Sequence, residues 1–369
     1  MKRELERVEI PGEHEARGRA RAVVLAGFAD RRPTPRRRSW MPALVAVILL
    51  ALVAGLLSPP GRAVLGELRE VVGVERAQPA LFSLPAQGRV LVVSQTSAWS
   101  VSADGSTRLL GPYRDAAWSP FGRFVVGATP LQLAALEPNG DKRWSLARPD
   151  VRLPAWGGTR TDTRIAYLSG TQLRVVAGDG TGDRILARGA ARVAPVWLPR
   201  ALHALTYATH EGRLITVSLQ TGRELWRTAR GDRVERLEWS TDGRRLLALR
   251  AGNVEIRNRS GSLFTGIRPA SGAVSAATFR PGSHAVAYVS VLGGRSRVVV
   301  LDEPSRTLLT VAGRITQLAW SPDGATILVP WREADQWLFI PGRKGKLRAV
   351  DGISEQFDGF PRSVSWCCP

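Results

Sequence analysis

The chain has little of what most enzymes and small secreted domains depend on. Its two cysteines, Cys367 and Cys368, are adjacent at the C-terminal end, so no disulfide framework holds the fold together. They either bridge to another chain or stay unpaired. Histidine occurs four times, at His14, His203, His210 and His284. No His-Glu-x-x-His or Cys-x-x-Cys spacing exists, so no metal site is expected. No Gly-x-Ser-x-Gly elbow leads into a helix. The glycine-rich Gly178-Asp179-Gly180-Thr181-Gly182 lacks the strand-to-helix setting of a phosphate loop. Acidic residues are the scarce charge: 32 Asp and Glu stand against 52 Lys and Arg, a net charge of +20 carried mostly by arginine. This balance favours anionic partners and does not bear on fold. The reading is a non-enzyme with no cofactor and no metal.

What is present divides the chain. Residues 1–40 form a basic tail in which 13–30 have apolar residues near helical spacing and Arg36-Arg37-Arg38 follow two prolines. The tail is either an amphipathic helix against a membrane or partner, or a solvated segment. Residues 41–57 are an unbroken apolar run without a charge, at the short end for a spanning helix. Ser58-Pro59-Pro60-Gly61 stops it, no clean Ala-x-Ala cleavage site follows, and no lipobox cysteine is present. We read 41–58 as a transmembrane signal anchor. The arginines before it place the N-terminus in the cytoplasm and the rest of the chain outside. Residues 59–87 supply a juxtamembrane helix and a proline-bearing linker.

From residue 88 to 369 one unit repeats. Its aromatic anchors are Trp118, Trp156, Trp197, Trp239, Phe279, Trp320 and Trp366. A period of about 40 residues carrying short apolar runs is the mark of a propeller or array. The clearest unit has strands ending at Trp239 and covering 244–250, 253–259 and 262–268, joined by Gly-bearing turns. Four such strands make one propeller blade. A second marker keeps the same phase: Asp104-Gly105, Asn139-Gly140, Asp179-Gly180, Thr221-Gly222 and Ser260-Gly261 supply tight hairpin turns.

Six units are complete, which leaves a lone strand at 362–366 and three strands at 88–94, 98–103 and 107–110. Joining them gives an all-β, seven-bladed propeller whose last blade is shared between the two termini, within a range of six to eight blades. Closure removes the exposed edges of an open array. The tryptophans then fill the wedges between blades, and Asp242 and Asp323 hold turns through backbone hydrogen bonds.

The anchors carry Trp320-Ser321-Pro322-Asp323-Gly324, Trp239-Ser240-Thr241-Asp242-Gly243 and Trp118-Ser119-Pro120-Phe121-Gly122. This pattern resembles the WD40-like (PD40) repeats of the TolB type. The resemblance spans 88–369 and implies a propeller with a binding role; it carries over no catalytic residue. Thr221-Gly222-Arg223-Glu224-Leu225-Trp226 is also similar to a pyrroloquinoline-quinone type of repeat, in at most two blades.

The expected function is that of a membrane-tethered extracytoplasmic module that binds a protein or an anionic cell-envelope polymer. The membrane is engaged through 41–58, and nucleic acid is not expected on the outer side. The alternative is a quinoprotein-like or lyase-type propeller enzyme with its site in the channel. Loops leading from the fourth strand of one blade to the first of the next share one face, and there the sequence places Arg114, Arg148, Arg188, Arg230, Arg268 and Arg314. A rim of guanidinium groups suits carboxylates and phosphates. Arginines on the opposite-face turns, among them Arg123, Arg200, Arg244 and Arg245, keep bulk charge alone as the competing reading.

Overall fold

The computed structural model describes residues 83–201, 203–302, 304–342 and 345–368. Within them the strands form seven antiparallel sheets of four. Blade 1 pairs the C-terminal strand Ser363–Cys367 with Arg89–Val93, followed by Ala98–Val101 and Thr107–Gly111. Blades 2 to 7 begin with Asp115–Trp118, Val151–Gly158, Val196–Trp197, Val234–Trp239, Ala273–Phe279 and Ala319–Trp320. The closing register runs from Arg89 opposite Cys367 to Val93 opposite Ser363. The expected seven blades and the shared one are both present. The tail, the apolar run and the juxtamembrane helix lie outside the described residues. Among the described residues no helix is long and apolar enough to cross a membrane.

The repeated Trp-Ser-Pro-Asp-Gly box makes one turn by side-chain chemistry. Ser321 Oγ donates to Asp323, while the Ala325 N–H donates to Asp323 and the Thr326 N–H to Ser321 Oγ, both at 2.9 Å. Gly324 sits at φ +66, the left-handed geometry that glycine adopts freely. Ser240, Asp242 and Gly243 repeat the arrangement in blade 5. Hydrogen bonds, led by that of Ser321, hold the Asp323 carboxyl below its ordinary pKa. These aspartates are turn residues, as expected.

The anchors are buried between blades, with Trp118, Trp156, Trp239, Phe279, Trp320 and Trp366 all nearly inaccessible. The anchor indoles that donate a hydrogen bond do so to the preceding blade, as Trp118 Nε1 does to Ser365 O. Trp197 Nε1 donates to Ala155 O at 2.9 Å and Trp239 Nε1 to Thr206 Oγ1 at 3.1 Å. Each seam between blades holds its own apolar cluster, so the core is a ring of wedges.

Two details differ from the sequence reading. The first strands of blades 4 and 7 have only two residues each. Pro195 and Pro199 flank Val196–Trp197 and carry no N–H for the ladder. Before the short strand of blade 7 the Gln317 side chain turns to blade 1 instead: its amide donates to Arg362 O, and its oxygen accepts the Val364 N–H at 2.9 Å. The second difference is a correction. Where a bridge to another chain or two unpaired thiols were expected, Cys367 and Cys368 form a disulfide with each other. Because the bonded residues are adjacent, the bridge closes no loop of chain. Cys368 packs on the Gly122 turn of blade 2, where an added Cβ on Gly122 would lie 2.7 Å from it.

Candidate functional site: an arginine cleft at the start of the first strands

Four consecutive inter-blade connections converge on one cleft of about 320 Å³. Arg362 precedes the first strand of blade 1 and Arg114 that of blade 2. Arg152 lies in the first strand of blade 3, and Arg192 in the connection to blade 4. Asp115 and Asp150 are the carboxylates of this lining. A propeller brings these connections together because every blade enters its ring through its innermost strand.

Asp115 organises the cleft. Its Oδ2 accepts the Leu153 N–H at 3.1 Å, and Arg362 Nη2 lies 3.5 Å from its Oδ1. Burial pushes the Asp115 carboxyl above its ordinary pKa. The Leu153 bond and the charges of Arg362 and Arg192 oppose that shift without cancelling it. Arg362 also donates to Arg114 O. On the far wall Arg152 pairs with Asp150. Asp150 and Leu153 both adopt positive φ, at 51 and 49 degrees, and the ladder between Arg152 and Ala155 carries a bulge. Left-handed geometry in non-glycine residues costs on the order of 1 kcal/mol each and clusters where a side chain must be aimed. Here it turns Leu153 N–H onto Asp115.

Arg114 and Arg192 have no ion-pair partner among the described residues. With four guanidinium groups against two carboxylates, the cleft is left with an excess of positive charge. It suits one carboxylate or phosphate group held by more than one arginine.

The expected rim is dispersed. Of its six arginines only Arg114 lines the cleft. Arg148 is taken up by Asp183, with Nη2 2.7 Å from Oδ2, in a cluster shared with Arg174 and the Tyr167 hydroxyl. Burial of Asp183 works against its charge, yet hydrogen bonds from Arg174, Tyr167 and Arg148 outweigh it and hold the carboxyl below its ordinary pKa. Burial and the bond to Asp183 push the Tyr167 hydroxyl up to about 12. Arg230 forks onto Glu211 at 3.0 and 2.8 Å. Arg188 is exposed at the end of an outermost strand, the Arg314 N–H donates to Glu333, and Arg268 lines a separate groove between blades 5 and 6. Sequence reasoning missed Arg362, Arg152 and Asp115. A register argument finds the first of these, since Arg362 precedes Ser363–Cys367 as Arg114 precedes Asp115–Trp118.

Among the described residues no group of three or more His, Cys, Asp or Glu is placed to hold a metal ion. No family model matches the chain, and no curated protein does. Solved structures do match. A chain from the crystal structure of the mitotic checkpoint complex has a TM-score of 0.55 at 13% identity, covering 73% of this chain and 92% of that one. At that identity the likeness establishes the propeller fold.

Proposed function

We propose that this protein is a membrane-tethered, extracytoplasmic propeller that binds an acidic protein surface or an anionic envelope polymer without catalysing a reaction. The observation that carries the reading is the convergence of Arg114, Arg192 and Arg362 from three connections, and of Arg152 from the first strand of blade 3, onto one cleft. Exposed arginines are usually just solvated, so their number alone means little. Here two of them lack a carboxylate partner among the described residues and lie beside a half-buried Asp115, which is where an anion would replace water. Propellers serve many chemistries, and function resides in such sites. The neighbour in the mitotic checkpoint complex belongs to a protein assembly, in keeping with a docking role. The apolar run at 41–57, preceded by arginines, supports tethering with the propeller outside. The TolB-like repeat pattern supports an envelope setting.

The test uses the detergent-solubilised full chain on immobilised anionic cell-wall material. Replacing Arg114 and Arg192 together by serine should weaken retention about tenfold, the effect of roughly 1.4 kcal/mol, and should flatten its salt dependence. Replacing Arg123 and Arg244 by serine should change it far less. Equal losses from the two pairs would show bulk charge only and would remove the site. For topology, protease added to spheroplasts should digest the propeller and spare an N-terminal tag; a protected C-terminus would reverse the assignment.

A further inference from the structure

The seam between blades 5 and 6 departs from the other six. Its anchor is Phe279, where every other blade has tryptophan. The indoles of Trp118, Trp197 and Trp239 all donate to the preceding blade, so the smaller anchor of blade 6 faces blade 5. Phe279 packs there with Leu247, Leu249 and Ile256 of blade 5. Beyond that cluster the blades are tied by Glu238, which accepts from Thr278 Oγ1 and Phe279 N–H, and by Asp242 with His284, and between their outer strands lies an open groove of about 980 Å³. A second cavity of about 360 Å³ continues it along blade 6, and Tyr288 lines both.

The walls have a consistent chemistry. The floor is aliphatic, with Ile256, Ile267, Val286 and Leu301. The outer wall is Leu263–Ile267, the last strand of its sheet, whose outer edge has no strand partner among the described residues. A bulge at Phe264 sets Thr265 opposite Ile256 and Leu263 opposite Arg257. Phe264 is 57% exposed and is covered by the Arg245 guanidinium, 4.0 Å from the ring centre. Arg268 lies at the end of this wall without an ion-pair partner among the described residues. Arg280 pairs with Asp302, the single carboxylate of the two linings, at 3.6 Å, and Arg297 adds positive charge.

We infer that this groove is a second binding site, which takes an extended peptide segment of a partner protein bearing alternating acidic and aliphatic side chains. An extended chain beside Leu263–Ile267 can pair with its open backbone edge. Side chains alternate along a strand, so the set facing the groove would rest on its aliphatic floor, and acidic side chains would meet the Arg245 and Arg268 guanidinium groups that line it. Basic grooves with aromatic rings also bind single-stranded nucleic acid, which stacks successive bases. Two rings, one already covered by Arg245, and an aliphatic floor favour the peptide. The site is separate from the arginine cleft, which draws on blades 1 to 4.

The experiment measures fluorescence anisotropy of a labelled peptide of alternating glutamate and leucine with the detergent-solubilised full chain. Saturable binding is expected, together with little binding of the lysine–leucine counterpart. Thr265→Glu and Arg268→Glu, both at exposed positions, should each weaken binding about tenfold while leaving the circular dichroism spectrum unchanged. The Arg114→Ser and Arg192→Ser pair should leave peptide affinity unaltered, so the groove and the cleft stand or fall separately. The inference is overturned if wild-type protein shows no saturable binding or if the groove variants bind like wild type. It is also overturned if a labelled oligothymidylate binds more tightly and displaces the peptide.

Discussion

Removing residues 361–369 tests the closure of the ring most directly. The deletion takes away Ser363–Cys367, whose five residues pair with Arg89–Val93. It also removes Trp366, 8% exposed, which packs on Val90 and Val92 and meets Phe339 edge-on at 5.8 Å. Emptying a buried tryptophan site costs about 3–5 kcal/mol. The lost ladder adds about 1 kcal/mol for each hydrogen bond that is not replaced by water. Together these losses are on the order of 8 kcal/mol, comparable with the whole stability of a typical domain at about 5–15 kcal/mol. The truncated protein should therefore lose its cooperative urea transition, followed by far-ultraviolet circular dichroism. Trp366→Ala should fold with a midpoint lowered by the smaller amount, and Leu263→Ala, at an exposed position of an outermost strand, should shift it little. If the truncated chain melted at the wild-type midpoint, the shared blade would be wrong.

Three further outcomes follow from particular contacts. Gly157→Ala should destabilise by about 2–3 kcal/mol, because an added Cβ would lie 2.1 Å from the Trp197 ring; an unchanged urea midpoint would refute that packing. The depressed carboxyl of Asp183 contributes stability that is full above the unfolded pKa near 4 and is lost as pH falls through the folded value. Asp183→Asn should therefore cost about 3 kcal/mol at neutral pH and progressively less on acidification, read by denaturation across that window. Asp115 has the opposite sign: its raised carboxyl favours the folded state more as pH falls through the folded pKa. Asp115→Asn keeps an acceptor for Leu153 N–H and removes a competing negative charge. Retention on anionic polymer should tighten about fivefold, the effect of roughly 1 kcal/mol, and a weakened retention would contradict the cleft's assignment.

The architecture was legible because its causes are local and repeated. A Ser and an Asp around a glycine make the same turn wherever they occur, as at Ser240–Gly243 and Ser321–Gly324. An aromatic residue lies at or near the end of each first strand because every wedge between blades needs filling. Period and phase alone thus determined the blade count and the strand borrowed from the C-terminus. The disulfide between Cys367 and Cys368 had no such signal, since adjacency in sequence does not say whether two thiols meet each other or a third group. The binding surface was legible only in part. Sequence position put six arginines on inter-blade connections, but the long guanidinium side chain goes to whichever carboxylate lies within reach in space. Arg148 is drawn to Asp183 and Arg230 to Glu211, whereas Arg114 has no ion-pair partner among the described residues and lies beside an Arg362 some 250 residues distant in the chain. Similarly, Arg268 stood in the sequence among the rim arginines, and only the packed blades place it instead on a groove between blades 5 and 6. Turns and wedges are set by neighbours in sequence and so were determined by the sequence itself. The charges of the cleft and the groove are set by neighbours across the ring, and those only the tertiary structure decided.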